Sequence, residues 1–335
     1  MFDVKSFRAA VIGCGKIGYE FGSDTRRPGV YSHAQAYATH PRTQLVGVCD
    51  LDLARAQGCA ATFPGPKAFS DYRTMLDTVE PELISICTPD ESHVELLRGA
   101  LESKHTKAVL CEKPLALSTT EAIGIADLAR ERGKVIAVNY TRRYDAAHWS
   151  LRNDIAGGRI GAVKAVTGFY GKGLRHNGSH WLDLVRFLVG DPHWVEAEGT
   201  PWGFGEDRTL TLSLGLDRDA RAYLVGTDHE AYTIFEMDIL GSAGRVRLTE
   251  GGRAVSYYFP RKGDVVAGYS DLPQEPDEVV SGLQGALPAA LDNIVAHVET
   301  GESLRCSAAD GVAVLKIADA AAKSQRTGER VWLRP

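Results

Sequence analysis

The chain of 335 residues has little that would mark a membrane, secreted or nucleic-acid-binding protein. No apolar run approaches the length of a transmembrane helix, and the N-terminus lacks the layout of a signal peptide. The formal net charge is −5 and no basic block occurs, which argues against nucleic acid and membrane as partners. Internal repeats and low-complexity tracts are also missing. We therefore expect an ordinary globular protein in the cytoplasm.

The cysteines are few and scattered. The six of them show neither Cys-x-x-Cys nor Cys/His spacing, so the sequence carries no signature of a metal site or a disulfide framework. Cys14, Cys49, Cys87 and Cys111 fall at or near the ends of predicted strands, where small buried hydrophobic side chains fit. This pattern is typical of reduced thiols in a cytoplasmic protein, and we expect no bound metal.

A chain of this length can bury a full core, and we expect it to form two domains. The first, residues 1–140, alternates between apolar strands and helical patterns. Strands are predicted at residues 9–12, 45–49, 83–88, 108–111 and 135–138, and helices at 53–62, 72–78, 93–103 and 120–132. Such alternation indicates a parallel sheet covered on both faces. Right-handed crossovers then give a doubly wound α/β domain of the Rossmann type.

The pattern changes in residues 141–335, the predicted second domain. A helix over 145–156 is followed by segments of period 2, and the chain ends in two helices and a short strand. The period-2 segments are residues 164–170, 210–216, 221–225, 235–240, 245–248 and 255–259, and the closing elements are 286–299, 308–324 and 330–333. Consecutive strands with short polar turns predict a second α/β domain with a large, mostly antiparallel open sheet. The second face of that sheet must be covered, so we expect a homodimer or homotetramer.

A glycine-rich turn follows the first predicted strand. The sequence there is Gly13-Cys-Gly15-Lys16-Ile17-Gly18, the Gly-x-Gly-x-x-Gly pattern. In a strand–turn–helix setting, the three glycines permit a tight turn, close backbone approach to a pyrophosphate and close packing of helix on strand. The pyrophosphate would lie on free N–H groups at a helix N-terminus. An ordinary glycine-rich turn is the alternative.

The second predicted strand ends in Asp50, and this context favours a dinucleotide site. A carboxylate at that point suits a ribose 2′-hydroxyl, although Asp50 could instead cap the helix that begins near Leu53. Because Asp50 would repel a 2′-phosphate and no arginine follows it immediately, we expect NAD rather than NADP. Arg55 is the residue that could reverse this preference.

Asp50 lies further from the glycine turn than the usual spacing of about 20 residues. The extra residues are predicted in the segment 21–31, which is rich in Gly, Pro and polar residues, with Ser32 as the N-cap of a helix through His40. An insertion there emerges at the ligand end of the sheet. Arg26 and Arg27 could therefore reach an anionic part of a substrate, or they could lie in a solvated surface loop.

Glu112-Lys113-Pro114 follows the strand at 108–111, which places Lys113 at the ligand-facing edge of the sheet. Pro114 stiffens the turn, and a cis peptide is tolerated before proline. A lysine at this edge can bind a substrate hydroxyl or carbonyl, and beside an oxidised nicotinamide its pKa should fall toward the range of a general base. A surface lysine beside a turn is the alternative.

A second cluster is His176-Asn177-Gly-Ser-His180-Trp-Leu-Asp183. His180 and Asp183 are three residues apart at the start of a helical run, so they share a face. Asp183 could orient the imidazole of His180, or both could face a substrate. Histidine suits proton transfer because its unperturbed pKa lies near neutrality, although a lone histidine is more often structural.

The chain resembles the Gfo/Idh/MocA family of nicotinamide-dependent sugar and cyclitol oxidoreductases over essentially its whole length. The matching segments are residues 13–18, Thr88-Pro89-Asp-Glu-Ser-His93, residues 111–116 with Glu-Lys-Pro, and residues 178–183. The resemblance implies a Rossmann domain joined to an α/β domain with an open sheet, and an active site between them. It further implies that Lys113 takes part in catalysis and that His180 lies by the reacting carbon.

The resemblance also implies roles for further residues. Glu112 would lie near the cofactor, and Thr88, Pro89 and His93 would border a ribose, although His93 could simply begin its helix. Further candidates follow strands of the two domains: Asn139 for the cofactor, Arg142 for a phosphate or carboxylate, and Tyr170, Lys172 and Asn177 for the substrate.

One position departs from the family pattern. Members that oxidise inositol or simple sugars often carry Asp four residues before the histidine, and this chain has His176. An imidazole in place of a carboxylate changes the acid/base relay and the hydrogen bonding to the substrate. His176-Asn-Gly-Ser-His180 is more similar to members that act on nucleotide-linked or otherwise decorated sugars.

Together these residues predict an oxidoreductase that moves a hydride between NAD(H) and a secondary alcohol or ketone of a sugar, nucleotide-sugar or cyclitol. Lys113, His180 and His176 are the candidate catalytic residues, with Lys113 or His180 removing the hydroxyl proton. Two alternatives stay open: an NAD-dependent glycosidase without net redox change, and a non-catalytic NAD-sensing protein.

Overall fold

The computed structural model describes residues 6–22, 29–203, 205–263 and 268–333. The chain divides into two compact units. Unit 1 comprises the residues up to 144 together with 284–312, and unit 2 comprises 145–283 and the residues from 313 onward. The sequence predicted one boundary near residue 140, whereas the structure adds the later segment 284–312 to the first unit. Each unit is described separately below.

The first part of the chain forms a parallel sheet with helices between its strands. The strands are β1 (Phe7–Ile12), β2 (Thr43–Cys49), β3 (Lys67–Phe69), β4 (Leu83–Ile86), β5 (Ala108–Cys111) and β6 (Val135–Val138). The helices are α1 (His33–Thr39), α2 (Leu53–Thr62), α3 (Tyr72–Val79), α4 (His93–Glu102) and α5 (Thr119–Glu131). The strand order 3-2-1-4-5-6 is that of a doubly wound dinucleotide-binding sheet, so the predicted fold is confirmed.

Unit 2 contains the predicted open sheet. Its elements up to residue 283 are α6 (Ala146–Ala156), β7 (Val163–Tyr170), α7 (Ser179–Leu188), β8 (Trp194–Trp202), β9 (Thr209–Gly215), β10 (Arg221–Gly226), β11 (Phe235–Gly241), β12 (Arg245–Thr249), β13 (Ala254–Tyr258), β14 (Arg261–Lys262), β15 (Ser270–Asp271) and β16 (Glu278–Ser281). The chain continues with α8 (Ala286–Thr300), α9 (Ala308–Thr327) and β17 (Val331–Trp332). The nine-stranded sheet has the order 16-13-12-11-7-10-9-8-17, and among its pairs only β7 and β10 are parallel.

The sequence did not predict β3, β8, β14, β15 or β16. β3 has only three residues, too few for a periodic pattern. β8 contains Gly199 and Pro201, which usually interrupt a strand, and its register against β9 shifts between Glu198 and Trp202. A tertiary partner therefore holds β8 extended where its own sequence does not favour a strand.

The first helix of unit 1 is interrupted. The carbonyls of Ile17 and Gly18, in the glycine turn, accept the N–H groups of His33 and Ala34 at 3.1 and 2.9 Å. Through these bonds α1 follows the glycine turn as a continuing helix would, and the twelve residues 21–32 are inserted between the two. Without the inserted residues Asp50 would follow Gly18 by twenty positions, which is the usual spacing.

The helix caps follow from short polar side chains. Ser32 caps α1 as predicted, its hydroxyl accepting the N–H of Gln35. The cap of α2 is Asp52, not Asp50, so the capping alternative for Asp50 is wrong. Arg26 and Arg27 of the insertion lie outside the described residues. Within the described ranges, no helix is long and apolar enough to cross a membrane.

The six cysteines are buried and unbridged. Burial raises the pKa of the Cys87 and Cys111 thiols well above the ordinary value. These side chains therefore act as small apolar groups in the core.

Close packing of α7 on the sheet of unit 2 depends on a glycine. A Cβ at Gly168 in β7 would lie 1.8 Å from the indole nitrogen of Trp181, which is fully buried. We predict that Gly168→Ala destabilises the protein by about 1–3 kcal/mol, because the indole has no room to move aside. The thermal unfolding midpoint measures this.

Gly124→Ala is the control, since a Cβ on this residue of α5 meets nothing within 4 Å. In a helix that change should stabilise by up to about 1 kcal/mol. A Gly168→Ala midpoint equal to that of the parent protein would contradict the packing argument.

Candidate functional site

The glycine turn of unit 1 has the geometry of a pyrophosphate cradle. Gly13 has φ +94°, and a Cβ there would lie 2.7 Å from the carbonyl of Cys87. A Cβ at Gly18 would lie 1.9 Å from the carbonyl oxygen of Gly13. Around Gly15, in contrast, a Cβ would meet nothing within 4 Å. Two glycines therefore satisfy internal packing, and the third leaves the backbone open to a ligand, which fits a dinucleotide.

Asp50 is fixed beside this turn. Its Oδ2 accepts the N–H of Cys14 at 2.8 Å, and its Oδ1 accepts the N–H of Asp52 at 3.0 Å. Arg55 places Nη1 3.9 Å from Oδ2. The Asp50 carboxylate thus lies beside the glycine turn, where the sequence predicts a ribose contact. The neighbouring guanidinium belongs to Arg55, the residue that could reverse the preference for NAD.

The loop after β4 carries Thr88, which is half-buried, and Pro89, which is exposed. The hydroxyl of Ser92 lies 2.7 Å from that of Thr88. His93 begins α4 and is fully buried, with Nδ1 2.7 Å from the Pro114 carbonyl oxygen and Nε2 3.0 Å from that of Thr88. Its ring therefore links two loops at the ligand edge of the sheet and has no free nitrogen for a cofactor.

Glu112, which is itself half-buried, is the centre of a polar network whose other members are buried. Its Oε1 lies 3.0 Å from Nε2 of His33 and accepts the amide N–H of Asn139 at 2.6 Å. Nδ1 of His33 lies 2.8 Å from the hydroxyl of Ser85, which in turn lies 3.0 Å from the hydroxyl of Tyr37. The network joins α1 to the carboxyl ends of β5 and β6.

The pKa of the Glu112 carboxyl reflects two opposing effects. Burial raises it, but the hydrogen bond and charge of His33, the amide of Asn139 and the charge of Lys113 together lower it below the ordinary value. Glu112 is therefore a carboxylate at neutral pH, next in sequence to Lys113. The Lys113–Pro114 peptide is cis, the conformation that the sequence allowed.

The segment after β6 separates into ligand-edge and structural residues. Asn139 is buried in the Glu112 network, and its Oδ1 has no hydrogen-bond partner among the described residues. Arg142 is half-buried. Arg143 is buried and forms an ion pair with Asp310, with 3.1 Å between Nη1 and Oδ1. Arg143 therefore holds unit 1 together and leaves Arg142 as the candidate for an anion.

In unit 2 the candidate residues lie on the connection between β7 and α7. This connection is a π-helical turn, Gly173–Gly178, and the preceding Lys172 is left-handed at φ +67°. The carboxylate of Asp207 accepts the N–H groups of Arg175 and His176 at 2.8 and 2.9 Å. The amide of Asn177 donates to the Gly171 carbonyl at 3.0 Å. The turn that carries His176 is thus braced from two sides.

His180 and Asp183 share α7, as predicted, but differ in burial. His180 is half-buried and lies edge-on to Phe235 at a centroid distance of 6.4 Å. Asp183 is buried, with Oδ1 4.0 Å from Nη1 of Arg186. Of the two, His180 is the more accessible, and Asp183 lies within the packed part of the helix.

Tyr170 is placed differently from the expectation of a substrate contact. It is fully buried, and its hydroxyl donates to the Leu210 carbonyl and accepts the Leu210 N–H, both at 2.9 Å. Burial raises the pKa of this phenol. Tyr170 therefore links β7 to β9 by hydrogen bonds. Its position at the end of a strand did not reveal that its side chain points into the core.

The sequence did not identify His33, Ser85 or Tyr37 as site residues. The available signal was a histidine directly after the N-cap of a helix and a serine inside an apolar strand, each of which has a structural explanation. Among the described residues, no group of three or more His, Cys, Asp or Glu side chains could hold a metal ion.

Two family models match the chain. Residues 7–140 match the model described as "Oxidoreductase family, NAD-binding Rossmann fold" and residues 152–333 the model described as "Oxidoreductase family, C-terminal alpha/beta domain". Inositol 2-dehydrogenase of Rubrobacter xylanophilus is 36% identical over 298 residues, 86% of this chain and 85% of that enzyme. D-glucoside 3-dehydrogenase of Escherichia coli (strain K12) is 30% identical over 204 residues, about half of either protein (55% and 54%).

Solved structures share the fold. The aldose-aldose oxidoreductase of Caulobacter crescentus complexed with glycerol has a TM-score of 0.79 at 17% identity, with 98% of this chain and 100% of that one covered. The WlbA dehydrogenase of Bordetella pertussis in complex with NADH and UDP-GlcNAcA has a TM-score of 0.74 at 20% identity, covering 99% and 100%. Because both family models match and the inositol 2-dehydrogenase of Rubrobacter xylanophilus is similar over most of its length, the protein belongs to the Gfo/Idh/MocA family of oxidoreductases and carries its NAD-binding Rossmann domain.

Proposed function

We propose that the protein is a dehydrogenase or ketoreductase that moves a hydride between NAD(H) and a secondary alcohol or ketone of a sugar, nucleotide-sugar or cyclitol. The observation that carries the proposal is Glu112-Lys113-Pro114 at the carboxyl end of β5, with Glu112 held as a carboxylate. The names of the relatives, inositol 2-dehydrogenase and D-glucoside 3-dehydrogenase, support a CH–OH substrate.

The residues of unit 1 fit the cofactor. The turn from Gly13 to Gly18, with Lys16 and Ile17, would hold the pyrophosphate, and Asp50 would accept the hydroxyls of the adenosine ribose. Thr88, Pro89, Glu112 and Asn139 would border the nicotinamide half. The bound nicotinamide supplies the hydride acceptor or donor.

Lys113 and His180 are the proposed proton-transfer residues. In the oxidative direction one of them removes the hydroxyl proton while the hydride leaves the same carbon, and in reverse the protonated group donates to the carbonyl oxygen. His176, Asn177 and Arg142 are proposed to bind substrate polar groups. Asp183 is proposed to act through His180 by orienting its ring.

A homodimer or homotetramer in the cytoplasm completes the proposal. Phe169, Tyr223 and Leu240 lie on one face of neighbouring strands of the nine-stranded sheet, each 38% exposed. A second copy of the chain would cover this partly apolar face.

Lys113→Met tests the function. We expect kcat/KM for the active sugar or cyclitol to fall by about 10²-fold or more, with NAD affinity retained, because the variant keeps the shape of the side chain and loses its proton transfer. Absorbance of the nicotinamide across a panel of inositols, free sugars, sugar phosphates and nucleotide-sugars measures this. Lys104→Met, an exposed lysine of unit 1, is the control.

Full activity in Lys113→Met would remove Lys113 from the mechanism. Release of an aglycone under catalytic NAD without net change in absorbance would instead identify the redox-neutral glycosidase. NAD binding with neither reaction across the panel would favour the sensing protein.

Asp50 should set the cofactor preference. We expect NAD⁺ to bind at least about tenfold more tightly than NADP⁺, because the carboxylate repels a 2′-phosphate. Asp50→Asn should narrow this ratio, while Asp52→Asn should leave it unchanged because asparagine also caps α2. Titration calorimetry of both cofactors measures the ratio. A parent protein that prefers NADP⁺ would contradict the prediction and point to Arg55.

His33 should control the ionisation of Glu112. The pKa of Glu112 is lowered in the folded protein, so its stabilising contribution is present above the ordinary carboxyl pKa and is lost as the pH falls through the folded value. His33→Leu keeps the burial and removes the strongest partner, so the pKa rises and the loss begins at higher pH. At neutral pH we expect a destabilisation of about 3–5 kcal/mol.

Thermal unfolding between pH 3.5 and 7.5 measures the shift. The control is His105→Leu, which removes an exposed histidine from its ion pair with Glu80 and should leave the pH profile unchanged. Identical profiles for both variants would mean that His33 does not hold the charge of Glu112.

A further inference from the structure

A cavity of about 210 Å³ lies in unit 2 beside His176. Its polar and aromatic lining consists of Lys172, His176, Trp202, Asp207, Thr209 and His229. All of these residues belong to the segment 145–283, so the cavity is formed within one unit. None of them except His176 and Lys172 was singled out by the sequence.

The carboxylate in the lining of the cavity is already engaged. Asp207 accepts one backbone N–H on each oxygen, from Arg175 and His176. Thr209 likewise uses its hydroxyl oxygen to accept the N–H of Gly173 at 2.9 Å. Both acceptors therefore serve to brace the turn, and the remaining lining groups are an ammonium, two imidazoles and an indole.

Lys172 is built into this position. A Cβ at Gly171 would lie 2.8 Å from the Cβ of His229, and a Cβ at Gly173 would lie 2.2 Å from the carboxylate of Asp207. The backbone on both sides of Lys172 is thus packed against other lining residues, and it holds this lysine in the left-handed region, which non-glycine residues seldom adopt. Lys172 makes no hydrogen bond or ion pair with the described residues.

Trp202 adds an aromatic wall. This residue ends β8, is 49% exposed and shares the cavity with Lys172 and His229. An aromatic face beside a few polar donors is the usual composition of a small-molecule pocket. A lysine ammonium with neighbouring imidazoles favours an anion.

We propose that this cavity binds an anionic substituent, a carboxylate or a phosphate, on the sugar substrate, with Trp202 packing against the sugar ring. The proposal rests on the dehydrogenase function and narrows its substrate to acidic or phosphorylated sugars. Lys172 supplies the charge, and His176 and His229 supply hydrogen bonds. Lys172 is then a specificity residue, distinct from the proton-transfer residues.

Lys172→Met tests the proposal with four probes: D-glucose, D-glucuronate, D-glucose 1-phosphate and UDP-glucose. Titration calorimetry with the NAD-loaded protein measures affinity without requiring turnover. We expect at least one anionic probe to bind more tightly than D-glucose, and Lys172→Met to weaken it about 10- to 100-fold, as for the loss of one charge-assisted contact. Lys164→Met, an exposed lysine of β7 outside the cavity, should have no such effect.

The outcomes separate this proposal from the dehydrogenase function. Binding of an anionic probe that depends on Lys172, with no redox change, would support the cavity and count against the dehydrogenase. Turnover of D-glucose as well as of the anionic probes, or an equal effect of Lys172→Met and Lys164→Met, would overturn the cavity proposal and leave the dehydrogenase intact. Absence of binding by all three anions would also overturn it. A preference for glucuronate alone would assign a carboxylate, and one for the phosphorylated probes a phosphate.

Discussion

The arrangement of unit 1 depends on one carboxylate that has little access to solvent. Glu112 lies at the end of β5, and a charge in that position is tolerated only because His33 and Asn139 contact the same oxygen. Its partners come from the interrupted first helix and from the end of β6. Satisfying this charge therefore fixes the register between the glycine turn, α1 and the edge that carries Lys113. The same constraint explains why α1 must resume in helical continuity with the glycine turn after the insertion.

Local patterns predicted most of the parallel sheet. The glycine turn could be assigned from sequence because each glycine answers a steric demand within a few residues, and the structure shows those demands at Gly13 and Gly18. The long spacing to Asp50 was also interpretable, since an insertion into a helix leaves the hydrogen bonds on either side in place. Elements whose conformation is set locally are accessible to this kind of reasoning. Strand β8, which depends on its neighbours, is not.

The candidate site was less predictable than the fold, for a physical reason. His33 and Glu112 are 79 residues apart, so no local pattern pairs them. Position at a strand end placed Glu112 at the carboxyl edge of the sheet. It could not show that the hydroxyl of Tyr170 is hydrogen-bonded to Leu210 or that both nitrogens of His93 face carbonyl oxygens. Whether a polar side chain is free or satisfied is a tertiary property. The sequence predicts where such groups stand, and the fold decides which of them remain available.

The two units use carboxylates in opposite ways. In unit 1 the Glu112 carboxylate stays charged, and the charge of Lys113 is one of the causes that lower its pKa. In unit 2 the Asp207 carboxylate accepts hydrogen bonds from two backbone N–H groups and so stabilises the turn that carries His176. An aspartate in the position of His176 would add a second negative charge next to Asp207. The imidazole avoids that repulsion, so the Lys172 ammonium and the Asp207 carboxylate are the lysine and carboxylate charges in the cavity lining. The departure of this chain from the family pattern at His176 is therefore consistent with its surroundings, and it agrees with the proposed binding of an anionic substituent.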